Sequence, residues 1–307
     1  MSGPVAVTGA TGFIGTAILA ALADSGWPVN ALTRTPRGAS PGIRWIRGHL
    51  GDAGSLAELT NACDTVIHCA GRVRGATASE FDAANVDGTA NLLSAIGRRR
   101  TPPRLLLMSS LAAREPQLSW YAASKHRAEQ VLAGHAEFIH GTIFRPTAVY
   151  GPGDREMRPM LDSLRRGFLP LAGGAHRHFG LLHVHDLVAA VLRWLAAPVT
   201  SSGPYELDDG TPGGYDSVAL KATAESALGQ RVRIIPLPSP LLYCAAGLNL
   251  AFSRVWGRSP MLTPGKVREL THADWVCDNG PAAAALGWKP RIRLADALRD
   301  SARLIDG

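Results

Sequence analysis

Short apolar runs alternate with helical patterns through the first half of the chain. The apolar runs predict strands that begin at Val5, Val29, Ile43, Thr65 and Leu105, and a further strand over Phe138–Phe144. Helical periodicity covers about Gly12–Ser25, Ala53–Asn61, Ser79–Arg100 and Trp120–Gly134. This alternation is typical of βαβ units, in which parallel strands are covered by helices on both faces. The pattern therefore predicts an α/β fold with a doubly wound parallel sheet.

Beyond Tyr150, glycine and proline interrupt the pattern. Gly151–Asp154 predicts a turn, Phe179–Val184 a strand, and His185–Ala197 a helix that returns to pack on the sheet. We therefore expect two parts. Residues 1–150 form the sheet domain, joined by the returning helix near 185–198, and residues 151–307 form a smaller, mostly C-terminal α/β part that binds substrate.

The segment Leu241–Phe252 is apolar, but it is short for a membrane span and Asn249 interrupts it. It predicts a core or interface helix rather than a membrane contact. At the other end of the sequence, the strand at Val5 begins with no basic region before it, so no signal peptide is predicted. We therefore expect a cytoplasmic protein without a membrane span.

Composition and charge change this picture little. Of the 307 residues, 46% are hydrophobic and 19% are charged, which is ordinary for a globular protein. The net charge of +7 is spread along the chain, and the run Arg98–Arg100 lies where a helix is expected to end. Nucleic acid is therefore not predicted as a partner. His176 and His178 share a strand face without an evident third ligand, so no metal is expected. The cysteines are scattered without metal-site spacing: Cys63, Cys69, Cys244 and Cys277.

A glycine-rich turn follows the first predicted strand and opens the first predicted helix. Gly9 allows a tight turn, Gly12 lets backbone amides approach a pyrophosphate, and Gly15 allows close packing of helix on strand. The helix N-terminus adds amide donors and a partial positive charge. The turn therefore predicts a dinucleotide site on a Rossmann-type sheet. Its predicted cofactor-binding residues are Gly9, Thr11, Gly12, Phe13, Ile14 and Gly15.

The end of the second predicted strand bears on the choice of dinucleotide. An NAD site usually has an acidic residue there for the ribose hydroxyls, whereas a 2′-phosphate favours a cation. The chain has Arg34 in this position and no acidic residue between Leu32 and Arg37. Arg34 therefore favours NADP over NAD, with a solvated loop arginine as the alternative.

Tyr121 and Lys125 lie four residues apart, which places them on one face of the predicted helix. A free tyrosine, with a pKa of about 10, exchanges protons poorly near neutrality. A nearby cation stabilises the phenolate and draws the pKa toward working pH. Lys125 can also hold the nicotinamide ribose. The spacing predicts an acid–base pair.

Together these motifs resemble the short-chain dehydrogenase/reductase superfamily, whose loop is written TGxxGxxG and whose acid–base pair lies in YxxxK. Ser109-Ser110 matches the family's active-site serine position, and we choose Ser110, whose hydroxyl would polarise the reacting carbonyl. Asn85 begins a segment that matches NVxGTxNL of the extended, epimerase/dehydratase-like members. The resemblance implies a proton-relay role for Asn85, with a helix-stabilising amide as the alternative.

The resemblance also implies further cofactor contacts. Many members have an aspartate that bonds the adenine amine where this chain has His49, and Asp52 replaces it only if the loop bends. The end of the fourth strand would line the adenosine and ribose, and Arg145–Gly153 would surround the nicotinamide carboxamide. The cofactor-binding positions implied in this way are His49, Leu50, Cys69, Ala70, Gly71, Lys125, Pro146 and Val149.

Three departures narrow the expected activity. Ser110 precedes Tyr121 by 11 residues, a shorter interval than is usual in sugar-nucleotide epimerases, and Leu111–Ala113 lacks the acidic pair of a dehydratase. Thr147 stands where many epimerases have asparagine. The chain therefore resembles more closely the branch that contains 3β-hydroxysteroid dehydrogenases and dihydroflavonol reductases.

We expect an oxidoreductase that prefers NADP, with NAD as the other option, and transfers a hydride between nicotinamide and a carbinol or carbonyl carbon of a small, fairly apolar substrate. One alternative is a nucleotide-sugar epimerase with retained NAD, for which Arg231, Arg233 and Arg254 are candidate pyrophosphate ligands. Another is a non-catalytic dinucleotide-binding assembly or regulatory protein. The sequence does not determine the oligomeric state, and a homodimer is possible.

Overall fold

The computed structural model describes residues 3–172, 177–198, 203–256 and 259–303. The strands are β1 (Val5–Thr8), β2 (Val29–Thr33), β3 (Ile43–Arg47), β4 (Thr65–His68), β5 (Arg104–Met108), β6 (Gly141–Pro146), β7 (Ala148–Tyr150), β8 (Phe168–Ala172), β9 (His178–Phe179), β10 (Leu181–His183), β11 (Tyr205–Leu207), β12 (Arg233–Leu237) and β13 (Asp274–Trp275). The helices are α1 (Phe13–Asp24), α2 (Ala53–Thr60), α3 (Ala78–Asp82), α4 (Gly88–Gly97), α5 (Trp120–Ala133), α6 (Arg158–Arg165), α7 (Val184–Ala196), α8 (Ser217–Leu228), α9 (Ser239–Trp256), α10 (Pro264–Thr271), α11 (Gly280–Leu286) and α12 (Leu294–Arg303).

Seven parallel strands form the central sheet, in the order β11-β6-β5-β4-β1-β2-β3. The chain therefore reverses direction across the sheet at β1, which pairs with both β2 and β4. In such sheets, ligands bind outside the carboxyl ends of the strands at the reversal point. The predicted α/β fold with a doubly wound parallel sheet is confirmed.

Helices cover both faces of this sheet, which explains why its strands read as continuous apolar runs. On one face, Ile18 of α1 and Val191 of α7 pack on Val7 of β1. On the other face, α2, α4 and α5 contribute Leu56, Leu92 and Leu132 to a second buried cluster. Both clusters are built from side chains that the helical periodicity predicts to face inward.

The predicted helix over Ser79–Arg100 is interrupted. A π-helical turn, Ala83–Asp87, separates α3 from α4 and carries Asn85. Such turns add one residue to a helical turn and occur often at functional sites. The turn is followed by Gly88, where a Cβ atom would lie 2.5 Å from Cδ1 of Leu50, so the helix packs closely on the side chain of this loop.

The predicted strand over Phe179–Val184 is also divided, because β9 ends at Phe179 and β10 begins at Leu181. A Cβ atom at Gly180 would lie 2.7 Å from Cγ2 of Thr147, so only glycine allows this close approach of the chain.

The second half of the chain contributes to two regions. Strand β11 and helices α7 and α11 pack with the central sheet. Three short parallel pairs, β7–β10, β8–β12 and β9–β13, lie outside that sheet. Helices α6, α8 and α12 share a third buried cluster with Leu169 of β8. Residues after 150 therefore belong to both the sheet and a smaller α/β region.

Of the two expectations for α9, a core helix or an interface helix, the core position is wrong for much of the helix. Leu241, Leu248 and Phe252 are 66%, 61% and 53% exposed, and Trp256 is 69% exposed. The periodicity predicted the helix, but it did not predict that an apolar side of the helix would face solvent. Even so, no helix in the described residues is long and apolar enough to cross a membrane.

The described residues also contain no group of three histidine, cysteine, aspartate or glutamate side chains that could hold a metal ion. His176 lies outside the described residues. His178 is described, and its Nδ1 lies 3.0 Å from the carbonyl oxygen of Gly213.

Candidate active site

The glycine loop connects β1 to α1 at the reversal point of the sheet. Gly9 has φ +69°, and a Cβ atom there would lie 2.4 Å from the backbone nitrogen of Ala70. A Cβ atom at Gly15 would lie 2.1 Å from the carbonyl oxygen of Gly9. Both glycines are therefore required by packing within the protein itself.

Gly12 differs from the other two, because a Cβ atom there would meet only the Gly9 carbonyl oxygen, at 3.3 Å. Gly12 is the N-cap of α1 and makes no side-chain capping bond. The first amides of α1 thus have no capping side chain and can donate to an anion. Thr11 is exposed, while Phe13 and Ile14 begin the helix. This arrangement fits the pyrophosphate of a dinucleotide.

Arg34 follows the last residue of β2 and is exposed. Thr33 fixes the turn after the strand, since its hydroxyl donates to the carbonyl oxygen of Thr35 over 2.8 Å. Arg37 lies over the ring of Trp45, with 5.9 Å from its guanidinium carbon to the ring centroid. Two arginines therefore lie at the edge of the sheet where the adenosine ribose is expected.

Asp52 is engaged at the start of a helix. It caps α2, and its carboxylate accepts hydrogen bonds from the backbone nitrogens of Gly54 and Ser55 over 3.0 and 3.3 Å. His49 is the exposed side chain of this loop, and Leu50 packs beside Gly88. The loop therefore offers an imidazole rather than a carboxylate.

A buried chain of hydrogen bonds links the glycine loop to the π-helical turn. His68, at the end of β4, lies 2.6 Å from Oγ1 of Thr8 through Nδ1 and 3.0 Å from Oγ1 of Thr89 through Nε2. The Thr89 hydroxyl donates to the carbonyl oxygen of Asn85 over 2.7 Å. Burial, with a smaller contribution from the charge of Lys125, lowers the pKa of His68 to about 3. The imidazole is therefore a neutral structural link.

Ser109 and Ser110 follow β5. The Ser109 hydroxyl is buried and donates to Oε1 of Glu129, whose carboxylate is also held by Arg145 at 3.0 and 2.6 Å. The Ser110 hydroxyl accepts a 3.2 Å hydrogen bond from the backbone nitrogen of Ala112 and lies within hydrogen-bonding reach of Tyr121. Ser110 is thus the serine that faces the phenol.

Tyr121 lies in the first turn of α5, with its ring 6.3 Å from that of Phe81. Burial raises the pKa of Tyr121, and the hydrogen bond with Ser110 opposes this increase. Glu269 also raises the pKa of Tyr121, and Lys266 lowers it. The phenol is therefore protonated at neutral pH in the absence of a further positive charge.

Lys125 lies one turn further along α5 and is only 7% exposed. Its ammonium group donates to the carbonyl oxygen of Met108 over 2.8 Å. Burial lowers the pKa of Lys125 to about 8, against the opposing effects of Cys69 and Glu129. A Cβ atom at Gly71 would lie 3.2 Å from this ammonium nitrogen, so the loop after β4 passes directly beside it.

Asn85 is 2% exposed, and its side chain is fully engaged. Its oxygen accepts a 2.7 Å bond from the backbone nitrogen of Arg72, and its nitrogen donates to the carbonyl oxygen of Arg72 over 3.1 Å and to the hydroxyl of Ser124 over 2.8 Å. Asn85 therefore connects the loop after β4 to the helix that carries Tyr121 and Lys125. Ser124 lies between Tyr121 and Lys125 in the YxxxK motif, but the motif did not predict it as a site residue.

The segment around β7 borders the other side of the loop. Pro146 ends β6, and Val149 of β7 packs with Ile14 and Cys69 against the core under the sheet. A Cβ atom at Gly153 would lie 3.7 Å from the ring of Phe13. The Arg145–Gly153 segment therefore reaches the first turn of α1.

Helix α10, from the far end of the chain, lies on the first turn of α5. A Cβ atom at Gly265 would lie 2.9 Å from Cβ of Ser119, the N-cap of α5. The Ser119 hydroxyl donates to Glu269, which also pairs with Lys266 at 2.9 Å. These groups were not predicted from the sequence, because no spacing signal connects residues that lie 150 positions apart.

Comparison with known proteins identifies the family of the chain. Residues 5–207 match the family described as the NAD dependent epimerase/dehydratase family. The chain belongs to that family. It is an NAD(P)-dependent oxidoreductase of the extended short-chain dehydrogenase/reductase type, as the motifs led us to expect.

Several curated members of the family resemble the chain over most of its length. A ceramide reductase of Caulobacter vibrioides is 35% identical over 286 residues, which is 92% of this chain and 88% of that protein. A 2-alkyl-3-oxoalkanoate reductase of Stenotrophomonas maltophilia is 27% identical and covers 96% and 97%. A 3 beta-hydroxysteroid dehydrogenase/Delta 5-->4-isomerase of Mycobacterium tuberculosis is also 27% identical and covers 97% and 89%.

Solved structures of the family share the fold. MoeE5, in complex with UDP-glucuronic acid and NAD, superposes with a TM-score of 0.75 at 22% identity, over 99% of this chain and 100% of that one. A putative epimerase from Burkholderia cenocepacia J2315 gives 0.76 at 21% identity, over 99% of both chains. At this identity the likeness establishes the architecture.

Proposed function

We propose that the chain is an NADPH-preferring reductase of an apolar, long-chain ketone. The observation that carries this proposal is the arrangement of Ser110 beside Tyr121 at the carboxyl edge of the sheet, with Lys125 buried on the same helix. The adjacent wall, Leu111–Ala113, is buried and apolar and offers no carboxylate for a dehydration. The names of the relatives reported above, which describe lipid and steroid substrates, support an apolar substrate.

The cofactor would rest on the glycine loop and on Arg34, with Cys69, Ala70 and Gly71 along its ribose side and Pro146 and Val149 near the nicotinamide. When bound, it supplies the hydride. Arg34, with Arg37 nearby and no acidic residue on this segment, supports the preference for a 2′-phosphate.

The proposed roles of the catalytic residues follow from their surroundings. The Ser110 hydroxyl donates a hydrogen bond to the substrate carbonyl oxygen, and the Tyr121 phenol gives that oxygen its proton. The Lys125 ammonium, held by the carbonyl oxygen of Met108, would contact the nicotinamide ribose and bring positive charge toward the phenolate when the cofactor is bound. Asn85 and Ser124 position α5 against the loop after β4. In this assignment Asn85 is a positioning residue.

The epimerase alternative receives less support from the site. The charged groups that shift the pKa of Tyr121 are Glu269, Lys266 and Glu156, and none of these is a candidate pyrophosphate ligand. Arg231 and Arg233, the candidate pyrophosphate ligands, are exposed at the start of β12, and the side chain of Arg254 lies outside the described residues.

The test is to purify the protein, identify any retained nucleotide, and follow NADPH oxidation with a long-chain 3-oxo lipid. We expect stoichiometric alcohol formation, and we expect Tyr121→Phe to bind NADPH normally while kcat falls about 10²–10⁴-fold. Tyr243→Phe, which removes a hydroxyl from an exposed tyrosine, is the matched control. Tightly retained NAD without net turnover would favour the epimerase, and failure to bind either nucleotide would overturn the proposal.

A further inference from the structure

Helix α9 presents an apolar face to solvent, which we call the α9 face and define by Leu241, Leu248, Phe252 and Trp256. These side chains are 53–69% exposed, and their spacing places them on one side of the helix. The opposite side is held by the protein, since Ala246 and Ser253 are buried there. The rings of Phe252 and Trp256 stack with 5.3 Å between centroids at an interplanar angle of 11°. A contiguous exposed apolar surface of this kind marks an interaction site.

The charge around α9 indicates what covers this face. Residues 226–268 contain six arginine and lysine residues and no aspartate or glutamate. This segment therefore carries +6 of the net charge of +7, and our expectation of an even spread is wrong. The described cations of the segment are exposed, and one of them, Lys266, is paired with Glu269 just after the segment: Arg231, Arg233, Lys266 and Arg268. An apolar helix face carried by a segment that is rich in cations and contains no acidic residue matches the requirements of an anionic lipid surface.

The α9 face is also connected to the candidate active site. Helix α10 packs against α9, and the side-chain nitrogen of Asn249 donates to the carbonyl oxygen of Leu262 over 2.9 Å. Gly265 of α10 then contacts Ser119, next to Tyr121. On the neighbouring side, the guanidinium of Arg72 donates to the hydroxyl of Ser259 over 3.0 Å. The face therefore lies on the same two-helix unit that borders the Tyr121 site.

We propose that the α9 face docks on an anionic bilayer surface and thereby admits a lipid ketone to the Tyr121 site directly from the membrane. This inference rests on the proposed function for the identity of the lipid. The helix lies in the interface rather than across it, because α9 is not long and apolar enough to span. Aromatic side chains at the end of α9 suit the boundary between acyl chains and headgroups.

The test is sedimentation of the full-length protein with vesicles of phosphatidylcholine alone and of equal parts phosphatidylcholine and phosphatidylglycerol. We expect binding to the anionic vesicles, weakened by salt, and loss of that binding in the double variant Leu248→Glu/Phe252→Glu. Phe138→Glu is the matched control, because Phe138 is 65% exposed and precedes the amino end of β6, on the opposite edge of the sheet from the site. This control should bind vesicles as the unchanged protein does.

A second variant with a smaller change tests the proposal if the first variant misfolds. Arg231→Gln/Arg233→Gln leaves the α9 face intact and removes two exposed cations, so affinity for anionic vesicles should fall by about fivefold per cation. The Leu248→Glu/Phe252→Glu variant should also reduce a short-chain, water-soluble ketone at an unchanged rate and lose turnover only with the vesicle-embedded lipid.

The outcomes separate the two proposals. Vesicle binding by a protein that reduces no ketone supports docking and overturns the proposed function. Reduction of soluble ketones without any vesicle binding overturns docking alone. A dimer that Leu248→Glu/Phe252→Glu dissociates, together with no vesicle binding, assigns the face to a second copy of the chain and also overturns docking.

Discussion

The adjacent hydroxyl groups of Ser109 and Ser110 serve different partners. Ser109 donates to the buried carboxylate of Glu129, which is also paired with Arg145, whereas Ser110 faces the phenol of Tyr121. Consecutive residues of a strand point to opposite faces of the sheet. The Ser109 hydroxyl therefore bonds within the buried core, whereas the Ser110 hydroxyl remains near the cofactor loop.

This difference gives a paired prediction. Ser110→Ala should lower kcat for ketone reduction by about 10²–10³-fold with little change in unfolding free energy. Ser109→Ala should instead lower the unfolding free energy by about 2 kcal/mol, because it leaves a buried carboxylate with one donor fewer. Steady-state kinetics and urea denaturation of both variants check this assignment. The reverse pattern would assign the catalytic hydroxyl to Ser109.

The glycine loop gives a second pair. Gly15→Ala should destabilise the protein by about 2 kcal/mol, because its Cβ atom would lie 2.1 Å from the carbonyl oxygen of Gly9. Gly12→Ala would place its Cβ atom 3.3 Å from the same oxygen, a tight contact that a small shift relieves, so this variant should lose less stability than Gly15→Ala but weaken NADPH binding by about tenfold or more. Thermal unfolding and fluorescence titration with NADPH separate the two effects. Equal NADPH affinity in Gly12→Ala and the unchanged protein would contradict the placement of the pyrophosphate.

Nucleotide preference should depend on Arg34. Arg34→Ala is expected to raise the KM for NADPH by about 10–100-fold, because the variant loses a charged hydrogen bond to the 2′-phosphate. The KM for NADH should stay nearly unchanged. Arg37→Ala is the comparison variant and should raise the KM for NADPH less than Arg34→Ala does, because the Arg37 guanidinium lies over the ring of Trp45. Equal changes for both nucleotides in Arg34→Ala would show a general electrostatic effect in place of recognition of the 2′-phosphate.

Stability in acid should report on His68. Its pKa is about 3 in the folded protein against an ordinary value of 6.5, so between these values the unfolded chain binds a proton that the folded protein does not. Stability from this group is therefore complete above pH 6.5 and decreases as the pH falls, by about 1.4 kcal/mol per pH unit. His68→Gln should show a shallower loss between pH 6 and 4 in urea denaturation, and equal slopes for the two proteins would exclude this role.

Much of the fold was readable from the sequence, because its signals are local. The strand at Val29–Thr33 is predicted from a short apolar run, and the glycine loop from three positions that each meet a separate backbone requirement. Family membership follows from the same local motifs. The interruption of the Ser79–Arg100 helix was not predicted, since it depends on bonds from Asn85 to Arg72 and Ser124.

The sequence by itself determined the order of the motifs, the parallel sheet and the residue types that can exchange a proton, because periodicity and spacing act between near neighbours. Only the tertiary structure decided which serine faces Tyr121, that Asp52 is used as a helix cap, and that α10 borders the site. It also decided that Leu248 and Phe252 are exposed. Partners and exposure depend on contacts between distant segments, such as Ser119 with Glu269, and no pattern along the chain records them.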